Sequence, residues 1–304
     1  MQNCNHLLMI QPVNFGFNQE TAANNTFQRN TKENVQQQAL KEFNDFVALL
    51  RVNNVDVTVI PDTTEPFTPD SIFPNNWVSF HADGTVFLYP MFAENRRQER
   101  KPHILKSLQE KFSISTMIDL SHHEKEGLFL EGTGSMILDR ENKILYACIS
   151  PRTSLALLKE FCALTGYAAV SFYSKDMNTV DIYHTNVMMS VADKFAVVCL
   201  ESIADKKERE KVINSLQLTH KEIIEISLPQ LNAFAGNMLQ IRNIENELLS
   251  IMSTQAYNSL AAEQRTQLEK YNRILHSPLY TIEQAGGGSA RCMMAEVFNK
   301  QKLK

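Results

Sequence analysis

Residues 168–218, AAVSFYSKDMNTVDIYHTNVMMSVADKFAVVCLESIADKKEREKVINSLQL, hold one complete structural unit. The alternating, β-branched run from Ala168 to Tyr173 reads as an extended strand. A loop follows, then a hairpin in which NVMMS and FAVVCL flank the turn VADK, then a helix-length segment from Asp205 to Leu218. Extended runs of the same kind begin at Val55 (VDVTVI), Ile114 (ISTMIDL), Glu222 (EIIEIS) and Leu279 (LYTIE), so the unit recurs every 54–59 residues. Two further hairpins, NWVSF-HADG-TVFLYP and SMIL-DREN-KILYACI, occupy the matching place in their units, and a weaker one spans Met238–Met252. Helical segments are expected over Arg97–Phe112, Ser154–Thr165 and Ala256–Leu275, with an earlier one over Lys32–Leu50. No Gly/Ser/Pro-rich linker interrupts the series. An unbroken repeat of this size buries its core only against neighbouring copies, as in a solenoid or a closed ring. The fifth unit lacks a full hairpin, and the N-terminal strand His6–Pro12 is free to complete it. The expectation is an α/β ring of five blades, one domain over residues 1–304, closed by its N-terminal strand.

Composition narrows the function. With 43% apolar residues in 304, the chain buries a large core. A net charge of −4 and a pI near 6.1 give no general electrostatic reason to bind nucleic acid or an anionic membrane. No apolar run reaches the ~18 residues of a spanning helix. The start, MQNCNHLLMIQPVNFG, lacks a basic region, and LLMI is too short for a signal peptide. The five cysteines are odd in number and scattered, with no CxxC pair, which suits a reducing cytoplasm and argues against a zinc cluster. The alternating signs of Asp205–Lys211 read as a solvated helix face. A cytoplasmic protein acting on a small molecule is expected, with no metal and no cofactor; its oligomeric state, homo-oligomer included, stays open.

The repeat also maps the chemistry. The first unusual polar residue at or before each hairpin is Asn75, Glu131, His184, Asn237 and Cys292 in turn. Equivalent positions in a pseudo-symmetric ring face the same axis, so these residues converge. Cys292 follows Gly286-Gly287-Gly288-Ser289-Ala290-Arg291, where three of the chain's 10 glycines stand in a row. Glycine lets backbone approach a ligand closely. The helix-like MMAEVF after it would favour a nucleophilic thiolate. His184 is the ring-facing histidine of the eight; beside a cysteine it can serve as general acid and then base around a covalent thio-intermediate. Glu131, between apolar residues in FLEGTG, needs a cationic partner or hydrogen bonds if buried. Asp70, Asn75 and Asn76 in PDSIFPNNW, together with Asn237, are candidate substrate contacts. Arg97 and Arg152 follow hairpins, and their forks suit the carboxylate of a small substrate. Taken singly, each residue also fits a plain structural role: a buried cysteine in a turn, a core imidazole, a hairpin-edge carboxylate, surface arginines.

PDSIFPNNW, FLEGTG, IYHTNV and GGGSARCMMAEV, in that order, resemble the guanidino-group-modifying (pentein) superfamily of arginine deiminases, dimethylarginine dimethylaminohydrolases and amidinotransferases. The nearest branch is that of the CtlX-type citrulline-utilisation hydrolases, which are amidinotransferase-like. The resemblance spans essentially the whole chain, including QPVNFGFNQETAANNTFQ. It implies a five-bladed ββαβ propeller, with Cys292 as covalent nucleophile, His184 as acid/base and Glu131 as the carboxylate paired with it. It further implies Asp70 as a substrate-binding acid, and Arg97 and Arg152 as holders of the substrate carboxylate. Asn75 and Asn76 stand where deiminases and dimethylarginine hydrolases have acids. Amides lack the charge that suits a guanidinium and fit a neutral ureido group, as in the arginine dihydrolases. The expected reaction is cofactor-free hydrolysis of amidine or ureido C–N bonds in an arginine-derived substrate, giving ornithine or citrulline and ammonia. An amidinotransferase, an arginine deiminase or dimethylargininase, and a catalytically silent pentein that only binds partners are the alternatives.

Overall fold

Each hairpin is too short to be stable alone. It gains a third strand by the same step in every unit: the chain runs through a helix and returns parallel to the hairpin's second strand. The computed structural model describes residues 1–22, 24–30 and 34–302. Strands β1 (His6–Gln11) and β2 (Asp56–Pro61) are joined by helix α1 (Val35–Val52). The next unit holds β3 (Val78–Phe80), β4 (Thr85–Leu88), α2 (Pro102–Lys111) and β5 (Thr116–Asp119). Then come β6 (Ile137–Asp139), β7 (Ile144–Cys148), α3 (Leu155–Thr165) and β8 (Ala168–Phe172). The fourth unit has β9 (Met189–Val191), β10 (Phe195–Val198), α4 (Lys206–Leu218) and β11 (Glu222–Glu225). The fifth has β12 (Leu239–Arg242), β13 (Leu248–Ser253), helices α5 (Thr254–Ser259) and α6 (Ala262–Glu269), and β14 (Arg273–Ser277). Helix α7 (Tyr280–Gly286) and β15 (Ala295–Glu296) end the series.

Five three-stranded sheets result. In the first, β15 lies antiparallel to β1 with Leu7 opposite Glu296, and β1 runs parallel to β2, so the last strand completes the blade that the first one starts. Adjacent blades touch in cyclic order: β15 against β3, β6 against β9, β9 against β12. The Arg242 N–H then bonds the Cys4 carbonyl at 2.9 Å, joining fifth blade to first. This is the five-bladed ββαβ architecture expected. Helices cover the outer faces. Helix α1 buries Ala39, Phe43, Phe46, Val47 and Leu50, one stripe at helical spacing. The charged start of α4 is solvated as expected, with only Val212 and Leu216 buried and Asp205 capping the N–H groups of Lys207 and Glu208.

Four local expectations need correction. LYTIE is helical: Leu279, Ile282 and Ala285 are buried at helical spacing, and the Glu42 carboxylate accepts the Thr281 and Ile282 N–H groups at the helix start. The strand of that unit is Arg273–Ser277, pairing with β13. The helix expected over Arg97–Phe112 is broken ahead of Pro102, which begins α2, and that over Ala256–Leu275 breaks between α5 and α6. MMAEVF is no helix; it leaves a tight turn and enters β15. Lys32, at the start of the first expected helix, lies outside the described residues.

A short helical turn precedes the inner strand of three blades: Pro74–Asn76, Gly132–Ser135 and Thr185–Met188. These turns, with the loops ending at Asn237 and Cys292, deliver one residue per blade to one end of the ring. Phe46→Ala should remove about 3–5 kcal/mol of stability, read as a lower urea midpoint at unchanged slope.

Candidate active site

The position of Cys292 comes from the glycines before it. A Cβ on Gly286 would stand 2.8 Å from the Phe73 ring, and one on Gly288 3.0 Å from it. Gly287 has φ +63°, and a Cβ there would meet Asn25 at 2.5 Å. Only glycine lets the chain pass this close. The chain then tightens into a turn in which the Cys292 N–H bonds the Ser289 carbonyl at 3.0 Å. Without a helix behind it, the sulfur receives side-chain donors instead: Asn237 Nδ2 at 3.2 Å and Asn186 Nδ2 at 3.3 Å. Asn237 is itself held by the Arg291 N–H on its Oδ1 and by the Asn186 carbonyl on its Nδ2. It therefore touches the Cys292 sulfur and does not line the cavity.

Glu131 is fully buried and meets all its needs in one place. Its Oε1 accepts the Phe92 N–H at 2.9 Å, and its Oε2 accepts His184 Nε2 at 2.7 Å. Arg152 Nη1 lies 3.6 Å away and Arg96 Nη1 3.9 Å. Burial would raise the pKa of this carboxyl, but Arg152, then His184 and Arg96, outweigh it and hold Glu131 well below the usual carboxylate range. An ionised carboxylate accepts only, so His184 carries its proton on Nε2 and turns an unprotonated Nδ1 toward Gly134 and Asn76. Burial pushes the His184 pKa down to about 4, against the pull of Glu131. It rests as a neutral base, so it must take a proton before it can give one.

Asp70, Asn76, Arg96, Arg152, His184 and Cys292 line one narrow cavity. Asp70 Oδ2 accepts from Asn18 Nδ2 at 2.8 Å and Thr21 Oγ1 at 3.1 Å, while its buried Oδ1 has no partner. Burial raises the Asp70 pKa, with Arg96 opposing. Asn76 Oδ1 accepts from Arg96 Nη1 at 2.9 Å, and its buried Nδ2 is unpaired. Because guanidinium only donates, this fixes which end of the amide faces Arg96. These two unpaired atoms, one acceptor and one donor, belong to residues that line the cavity.

The arginines depart from expectation. Arg97 lies outside the cavity lining, donating to the Met91 and Phe92 carbonyls, with its guanidinium near the Phe129 ring. Its neighbour Arg96 is the buried one, forked onto Glu99 at 2.8 and 3.0 Å. Both lie in the helical turn Glu94–Arg97, where one step rotates a side chain by roughly 100°. Arg152 reaches the cavity, but its donors go to the Thr21 carbonyl and Asn24 Oδ1. Asn75 is buried behind the wall, its Nδ2 3.4 Å from Thr133 Oγ1. Sequence reasoning missed Arg96, Asn186 and the covering segment from Asn18 to Gln28. That segment's density of Asn, Thr and Gln was the available signal: it bonds Asp70 and Arg152 on one side and the Ala285 carbonyl, through Gln28, on the other. Among the described residues, no group of three or more His, Cys, Asp or Glu could hold a metal ion, and no helix is long and apolar enough to cross a membrane.

The His184 ring should titrate near pH 4 in the folded protein, against 6.5 for an ordinary histidine. The unfolded chain then takes up the proton first, so the His184 contribution to stability is present above 6.5 and is lost as pH falls toward 4. A midpoint near 6.5 by ¹⁵N-detected imidazole shifts would contradict this environment.

No curated protein sequence matches the chain. Among solved structures, the fold matches ArgZ, an arginine dihydrolase from the ornithine-ammonia cycle in cyanobacteria. Its N-terminal domain, solved as a cysteine-to-serine variant with substrate, superposes with a TM-score of 0.76 at 17% identity, covering 96% of this chain and 97% of that one. Against full-length ArgZ the TM-score is 0.75 at 17% identity, covering 95% of this chain, which spans only 40% of ArgZ. A dimethylarginine dimethylaminohydrolase, solved as an adduct with 4-chloro-2-hydroxymethylpyridine, matches with a TM-score of 0.66 at 16% identity, covering 96% of this chain and 99% of that one. At these identities the likeness shows the shared pentein fold. Residues 11–299 match the model of the family described as N,N dimethylarginine dimethylhydrolase, eukaryotic, and with nearly its whole length matched the chain belongs to that family.

Proposed function

We propose that the chain, as one catalytic propeller over residues 1–304, is a hydrolase that carries arginine past the ureido stage to ornithine. Cys292 is the nucleophile, His184 the proton carrier and Glu131 the group that fixes its tautomer. The Cys292 sulfur attacks the planar guanidinium carbon while its proton passes to His184 Nδ1. His184 returns that proton to the departing nitrogen, and ammonia leaves. Water then gives a proton to His184 and attacks the S-bound carbon; the C–S bond breaks and His184 returns the proton to the Cys292 sulfur. A second cycle on the ureido carbon releases the second ammonia, and the carbamate left behind loses carbon dioxide to give ornithine. No step requires a cofactor, and five unpaired cysteines suit a reducing cytoplasm.

The observation that carries this reading is the fixed amide of Asn76. With Oδ1 taken by Arg96, only N–H donors remain for a ligand. A guanidinium has no acceptor to meet them; a ureido oxygen does. Asp70 Oδ1 supplies the acceptor that the substrate's N–H groups need. Fold likeness to ArgZ, which is solved with a covalently bound reaction intermediate and with product, agrees with this chemistry. The family match favours a second reading, hydrolysis of N,N-dimethylarginine to citrulline and dimethylamine by the same three residues.

Product analysis over arginine, citrulline and N,N-dimethylarginine separates the two: ornithine with two equivalents of ammonia is expected from arginine. Citrulline as the end product, or turnover of dimethylarginine alone, would overturn the first reading. Cys292→Ser should lower kcat by roughly 10³-fold or more without loss of fold.

Asn76→Asp puts an acceptor where the donor was. The ratio of kcat/KM for arginine over citrulline should rise by about tenfold, the equivalent of ~1.4 kcal/mol. Asn75→Asp, behind the wall, should change stability and leave that ratio as it is.

A further inference from the structure

A run of three glycines makes a poor anchor for a nucleophile. Backbone freedom is highest where Cys292 needs a single position, and the glycines cannot be replaced because Phe73 and Asn25 crowd the chain there. Something else must remove that freedom. The preceding helix α7 supplies it through one side chain. Glu283 is 2% exposed, and its Oε1 accepts the Ser289 hydroxyl at 2.6 Å. Ser289 is fully buried, and its carbonyl accepts the Cys292 N–H at 3.0 Å. The Glu283 carbonyl accepts the Gly287 N–H at 3.0 Å. The same residue thus holds the glycine loop at its entry, through its backbone, and at its exit, through its side chain.

Accepting Cys292 as the nucleophile, we propose that Glu283 is a positioning residue, holding the Gly286–Cys292 loop through Ser289 so that the sulfur stays on the line of attack. A buried carboxyl is a costly choice for a purely structural tie. Burial pushes Glu283 up to about 7, with Ser253 and Ser289 opposing. The hydroxyl of Ser289 can donate to the carboxyl in either protonation state, so the tie survives across that range. Sequence gives no hint of it: Glu283 lies nine residues before the cysteine and falls in the segment read there as a strand.

The test uses the full chain and four variants: Glu283→Ala, Glu283→Gln, Ser289→Ala and the double alanine variant. Readouts are kcat and KM for arginine, the rate at which iodoacetamide alkylates Cys292 followed by peptide mass spectrometry, and the thermal midpoint. Loss of the tie should lower kcat by roughly 10- to 100-fold at unchanged KM, slowing alkylation alongside. Glu283→Gln, whose amide oxygen still accepts from Ser289, should keep most of the rate. The double variant should be no worse than either single one, because both break one link. Additive losses, or folded Glu283→Ala and Ser289→Ala enzymes with wild-type kcat and alkylation, would overturn the proposal. Should Glu283→Ala not fold, Ser289→Ala and Glu283→Gln carry the same comparison. Full activity in Cys292→Ser would instead remove the nucleophile assignment, whatever Glu283 does.

Discussion

Glu131 is the charge around which the site is built. A carboxylate with no exposure would lose its hydration outright, and it stays ionised because Arg152, Arg96, His184 and the Phe92 N–H surround it. They come from three stretches of chain, Phe92–Arg96, Arg152 and His184, so the cost of an unmatched charge ties those stretches to Glu131. Breaking such a cluster from one side leaves a buried, uncompensated charge, a loss of about 3–5 kcal/mol. That requirement also dictates chemistry. With Glu131 ionised, the His184 tautomer follows, and with Arg96 held by Glu99 and Glu131, the orientation of the Asn76 amide follows.

The free polar atoms of the cavity residues are therefore set at second hand. Asn76 contributes a donor because Arg96 has consumed its acceptor, and Asp70 contributes one oxygen because Asn18 and Thr21 have consumed the other. Arg152, aimed at the same space, is occupied by the covering segment through Thr21 and Asn24.

Much of this was legible in the chain. The period of the extended runs predicted five blades, and shared register within the repeat brought Glu131, His184 and Cys292 to one end, because equivalent positions must face one axis. What sequence could not resolve are features decided by rotation and by distant partners. Arg96 and Arg97 differ by one step in a single helical turn, and only packing reveals which faces inward. LYTIE has strand composition, yet Glu42 from α1 caps it as a helix, a contact 239 residues away in the chain. MMAEVF has helix composition, yet β1 takes its Ala295 and Glu296 as a strand. In both cases tertiary pairing overrode local preference.

The pairing of β15 with β1 sets an order of events during synthesis. His6–Gln11 and Asp56–Pro61 are made before the second partner of β1, residues 295–296, emerges. Until then that edge of β1 is an open template for other chains. The same stretch carries Cys292, so its thiol arrives with the strand that completes the first blade. Pairing over so long a separation is slow. A nascent chain consequently has Asp70, Arg96, Arg152 and His184 before it has Cys292, and the cavity lined by all five is complete only with that stretch.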